Sequence, residues 1–164
     1  MALIDDDRNI MIDLYMEKAV KALNSAILLS ETNDYDGAAN RAYYSVFQSG
    51  SALLLTKDIL RYSHKHVRKS ILEEFEKSGK LPIDINSKIK KLETMRTISD
   101  YSKTESVTEE EIKEALSEAK KFLDNAKKLI AEFKLEQKKE ISEEHKNAEN
   151  NLEHEKEEKQ KKIR

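Results

Sequence analysis

Residues 38–55 read AANRAYYSVFQSGSALLL, and their helical register decides the architecture. At 100° per residue, Tyr43, Val46, Phe47, Gly50, Leu53 and Leu54 form one broad apolar face. Ala38, Ala42, Ser45, Ser49 and Ala52 form a stripe of small side chains beside it. The two together cover well over half the circumference, so this helix must be surrounded, and the small stripe lets a neighbour approach closely. Arg41, Tyr44 and Gln48 fall at i, i+3 and i+7 on the remaining narrow strip, which is either a hydrogen-bonding rim or a ligand-facing edge.

The flanking segments supply the surroundings. Ile12, Met16, Ala19, Leu23 and Ala26 step by four and three through a helix over 7–30. The turn formers of ETNDYDG (31–37) end it, so it makes a hairpin with the central helix over 35–57. Val67, Ile71 and Phe75 mark a third helix over 63–77, stopped by Gly79 and Pro82; Ile85, Ile89 and Leu92 mark a fourth over 84–100. Thr108 and Glu111 then form a capping box for a fifth, carrying Ile112, Leu116, Ala119, Leu123, Ala126, Ile130 and Phe133. With three Gly, one Pro and no Trp, the composition also predicts an all-α protein.

The apolar pattern stops at Phe133. Residues 134–164 hold nine basic and nine acidic side chains and few apolar ones, too few to bury against a body. The expected organisation is therefore a bundle over 1–133 and a charged tail over 134–164, either an exposed helix that frays or a disordered segment.

Charge excludes some functions. Thirty basic and 32 acidic residues leave a formal charge of −2, so any nucleic-acid site must be local. The local concentration is Arg61, His64, Lys65, His66, Arg68 and Lys69, with Tyr62 beside it. There is no cysteine, and no apolar run of the roughly 20 residues that span a bilayer. The amino-terminal MALIDDD has no signal-peptide character, so no membrane association and a cytoplasmic location are expected. His64 and His66 point to different sides of a helix, and His145 and His154 lie in the tail. No metal site and no cofactor are expected.

Arg96 is the sharpest anomaly. It falls on the apolar stripe of the fourth helix, four residues after Leu92, where an unpaired charge is too costly to bury. Either it pairs with Asp100 and only holds the helix end, or it opens into a cationic pocket for phosphate.

The order of these blocks resembles the HEPN family (higher eukaryotes and prokaryotes nucleotide-binding), in its small stand-alone prokaryotic form. The resemblance covers roughly residues 8 to 133. It rests on AANRAYYSVFQSGSALLL, on YSHKHVRKSILEEFEKSGKL (62–81), and on MRTISDYS (95–102) followed by VTEEEIKEALSEAKKFL (107–123). It implies an up-and-down bundle of four to five helices, forming a homodimer in which a polar motif of each subunit faces a shared cleft. In HEPN ribonucleases that motif is an arginine followed four to six residues later by a histidine, a metal-independent pair. Here Arg96 is followed by Thr97, Ile98, Ser99, Asp100, Tyr101 and Ser102. Gln48 stands where the family often places another histidine.

By resemblance, Arg96, Asp100 and Tyr101 are the catalytic candidates. Arg41, Tyr44, Gln48, His64 and Arg96 are the ligand-binding ones. The expected function is a nucleotide- or RNA-binding module with a degenerate ribonuclease motif, or a module for a protein partner. That partner would be a minimal nucleotidyltransferase in a toxin–antitoxin-like pair. The alternatives are a metal-independent endoribonuclease toxin and a purely structural dimer.

Overall fold

The computed structural model describes residues 5–163. Five α-helices follow one another, with no strand among the described residues: α1 Asp5–Glu31, α2 Tyr35–Leu55, α3 His64–Ile71, α4 Ile85–Tyr101 and α5 Glu109–Ile163. The all-α architecture is as the sequence predicts.

Local chemistry sets the boundaries. Asn33 adopts a left-handed conformation (φ 64°), and the Asp34 side chain accepts a hydrogen bond from the Gly37 N–H, capping α2 and closing the hairpin with α1. At the far end of α2, Asp58 is left-handed (φ 57°) and the Ile59 N–H returns to the Leu54 carbonyl, which turns the chain toward α3. Ser63 caps α3 by accepting from the His66 N–H, so His64 occupies the first turn. The Thr108–Glu111 box forms in both directions at the start of α5.

Two details depart from the sequence reading. The expected single helix over 63–77 is α3 followed by a π-helical turn, Leu72–Glu76, in which the Lys77 N–H bonds to the Leu72 carbonyl. Leu116, Met16, Phe47 and Phe133 are only half-buried, while Ala115 and Phe122 take core positions on α5.

The bundle is built around α2. It packs along α1 and also touches α3 and α4, and thirteen of its residues are buried, from Ala38 to Leu55. A Cβ added at Gly50 would lie 2.5 Å from Ile71 Cδ1, so this glycine is where α3 comes closest. The first part of α5 covers α4, tied by Lys88 to Glu118 (3.0 Å) and Lys91 to Glu114 (2.7 Å).

The chain divides into two compact units, Met1–Ile130 and Ala131–Arg164. In the second, the helix continues to Ile163 and none of its described residues is buried.

Candidate phosphate-binding site

The apolar stripe of α4 carries Ile85, Ile89, Leu92 and then Arg96, whose side chain is only 13% exposed. Burying a guanidinium to that extent requires compensation. Glu93, nearly one turn earlier, does not provide it: its carboxylate accepts from Arg68 of α3 (Nε to Oε2, 3.2 Å). The nearest acid to Arg96 is Asp100, with Nε to Oδ2 at 3.8 Å, an ion-pair contact too long for a hydrogen bond. Arg96 Nε is accordingly a buried donor without a hydrogen-bond partner. Arg96 therefore carries an incompletely satisfied charge.

Aromatic rings take up the rest. The Arg96 guanidinium carbon lies 5.5 Å from the Tyr43 ring centroid and 5.8 Å from that of Tyr44. Its Nη2 is 3.3 Å from His64 Nε2, and His64 Nδ1 is 2.7 Å from Tyr43 Oη. Because a guanidinium can only donate, His64 Nε2 must accept, which assigns the ring proton to Nδ1 and makes Tyr43 Oη its acceptor. The imidazole is thereby held neutral. Burial, and then the Arg96 charge, lower the His64 pKa below its ordinary 6.5. Burial, and then the Glu93 charge, raise that of Tyr43, so both rings are uncharged near neutrality. Phe47 closes the wall, its ring 4.5 Å from that of His64.

A second thread runs from Asp100. Its Oδ1 accepts from Asn40 Nδ2 (2.8 Å), and Asn40 Oδ1 accepts from both Arg41 Nε (3.0 Å) and Nη2 (2.7 Å). The Arg41 guanidinium lies 5.0 Å from the Tyr44 centroid. Arg96 and Arg41 thus approach one tyrosine and are joined through Asp100 and Asn40.

The structure brings Arg41, Tyr44, His64, Arg96 and Asp100 into this one network. Gln48, a turn beyond Tyr44, faces a groove between α2 and α1. Tyr101 stands apart, 73% exposed. Arg61, Lys65, His66 and Tyr62 lie on the exposed side of the α3 entry, of whose residues only His64 reaches the network. Sequence reasoning missed Asn40 and placed Tyr43 only in the core. The signal for Asn40 was available: Asn40, Tyr44 and Gln48 are spaced by four along one strip. Among the described residues no group of three or more His, Asp or Glu is gathered as metal ligands would be.

Comparison with known proteins gives concordant matches. The HEPN domain profile matches residues 12–129. Two Methanocaldococcus jannaschii proteins, each named as a candidate toxin, are 35% identical to this chain. One match spans 115 residues (70% of this chain, 78% of the relative) and the other 132 (80% and 98%). A UPF0332 protein of Thermotoga maritima is 30% identical over 129 residues, 79% of this chain and 98% of its own.

Proposed function

The chain belongs to the HEPN family, and from that premise we propose that it is a phosphate-recognising module that binds RNA or a nucleotide at Arg96. The observation that carries this reading is the half-satisfied guanidinium. Arg96 is held by rings and a neutral imidazole, with one distant carboxylate, so a phosphate oxygen would supply the acceptor that its Nε lacks.

In the bound state Arg96 would meet the phosphate with its charge undiminished, since neither His64 nor Tyr43 neutralises it. Asp100 opposes phosphate by charge, and its anchorage to Asn40 turns one oxygen away from Arg96. The module acts within a toxin–antitoxin-like pair, as the names of the M. jannaschii relatives suggest. It forms a homodimer, and its partner is a minimal nucleotidyltransferase. Titration with labelled single-stranded RNA and with AMP tests the ligand half: Arg96→Gln weakens binding at least tenfold, and wild-type protein that binds neither ligand refutes it. Co-purification of a minimal nucleotidyltransferase with the tagged protein from its native host, or its failure, decides the partner half.

One observation favours the second reading, a metal-independent endoribonuclease. No histidine stands within six residues after Arg96, yet His64 arrives from α3 at 3.3 Å, neutral and with a basic Nε2. If phosphate drew the guanidinium away, that nitrogen would be free to take the proton of a ribose 2′-hydroxyl as its oxygen attacks the phosphorus; the P–O5′ bond breaks, the departing 5′-oxygen takes a proton from water, and Arg96 stabilises the charge on the phosphate. RNA cleavage that survives EDTA and is lost in His64→Gln establishes it; intact RNA after prolonged incubation removes it.

A further inference from the structure

Beside the Arg96 network, α1 and α2 enclose an open groove of about 540 Å³, lined by Lys18, Lys21, Ser25, Arg41, Tyr44 and Gln48. Its chemistry differs from that of the depression between α4 and α5. Between α4 and α5, the basic side chains Lys88 and Lys91 are matched by Glu118 and Glu114, so the charges there are already paired. In the α1/α2 groove only Lys21 is matched, by Glu17 outside it. Lys18 reaches solvent with no ion pair, and Arg41 is bound by the neutral Asn40 rather than by a carboxylate. No acidic side chain lines the groove.

Two further features say what it would hold. The Gln48 amide oxygen is buried and makes no hydrogen bond, an acceptor waiting for an N–H or O–H. The Arg41 guanidinium, pinned by two hydrogen bonds to Asn40 and lying 5.0 Å from the Tyr44 ring centroid, is a fixed planar cation of the kind on which bases stack. Unpaired cations, a stacking plane and a buried acceptor together fit a phosphorylated nucleoside. The Tyr44 ring is approached by Arg41 from the groove and by Arg96 from the other site, so one ligand can cross between them.

We propose that the α1/α2 groove is a second subsite, which takes the nucleotide adjoining the phosphate held at Arg96, so that the preferred ligand is single-stranded RNA rather than a mononucleotide. This rests on the reading of Arg96 as a phosphate site. Lys18 and Arg41 would contact the flanking phosphate, and Gln48 would accept from the base or the ribose.

The test compares a labelled single-stranded hexanucleotide with AMP, by anisotropy and calorimetry, across a salt series. Lys18→Glu, at an exposed position with no ion pair to break, and Arg41→Gln should each weaken the hexanucleotide at least tenfold more than AMP. Removing one cation from a phosphate lowers the slope of log K against log[salt] by about 0.7 for a single strand. Arg96→Gln should weaken both ligands. If the groove variants bind the hexanucleotide as the wild type does, or weaken both ligands equally, the second subsite is overturned while the Arg96 reading stands. If the wild type binds neither ligand, both fall.

Discussion

Arg96 and His64, on different helices and 32 residues apart, meet with Nη2 3.3 Å from Nε2, and this contact fixes the protonation of the site. Burial and the adjacent cation disfavour the imidazolium, and the neutral ring then donates its Nδ1 proton to Tyr43 Oη in a hydrogen bond. Among the described residues, the one acid in ion-pair contact with Arg96 is then Asp100, at 3.8 Å.

The first prediction concerns pH. His64 should titrate below 6.5, with burial the larger cause and Arg96 the second. Its contribution to stability is complete above 6.5, where both the folded and unfolded chains hold it neutral. As pH falls from 6.5 through the lowered folded value, the unfolded chain takes up the proton first, so that contribution is lost over this window. Ring-resolved NMR titration checks the value. Arg96→Gln should raise it part of the way, because burial remains; a midpoint at or above 6.5 in the wild type contradicts the tautomer assigned to His64.

Asn40 supplies the second. It donates to Asp100 and accepts twice from Arg41, tying the end of α4 to α2. Asn40→Ala removes these bonds at a partly solvated site, which should cost about 1 kcal/mol and lower Tm by roughly 2 to 4 °C. Arg41 should also lose its fixed orientation, so RNA affinity should fall more than stability alone explains. Calorimetry and the anisotropy titration separate the two effects. An unchanged Tm would mean that water replaces the amide without loss.

The bundle was legible because its signals are local and repeated: the steps from Ile12 to Ala26, the small stripe of α2, and the Thr108–Glu111 box each specify their own structure. The site was legible only in part, because its contacts join helices. Arg96 betrayed itself by falling on an apolar stripe, and Arg41, Tyr44 and Gln48 by sharing a strip. No pattern within α3 reveals that His64, at its first turn, reaches Tyr43 and Arg96. Tyr43 shows why a single role misleads: its ring is buried in the core while its hydroxyl orients the histidine. The π-helical turn at Leu72–Glu76 leaves the spacing of Val67, Ile71 and Phe75 unaltered, so apolar periodicity is blind to it.

The third prediction tests the start of α5. Thr108 Oγ1 accepts from the Glu111 N–H, Glu111 Oε2 accepts from the Thr108 N–H, and Asp36 Oδ1 accepts from the preceding Val107 N–H (2.8 Å). Thr108→Ala removes the side-chain half of the box, at a cost of about 1 kcal/mol. Thr108→Ser keeps the oxygen and should retain most of the stability. Equal losses in the two variants would assign the effect to the threonine methyl group instead of the cap.

The last prediction concerns residues 135–164. Along this part of α5, Leu135, Ile141 and Leu152 are exposed, and none of its described residues is buried. With no apolar face covered, its helical state depends on intrinsic propensity and on i to i+4 ion pairs that each contribute only about 0.2 to 0.5 kcal/mol. Deleting these residues should therefore reduce the far-UV helical signal while leaving the core intact. The midpoint of the bundle should stay within about 2 °C, the range of an exposed change of up to about 0.5 kcal/mol. Circular dichroism and calorimetry on the shortened chain measure both quantities. A midpoint falling by many degrees would show that this helix is covered in solution, and a protein-concentration dependence of that fall would identify the cover as a second copy.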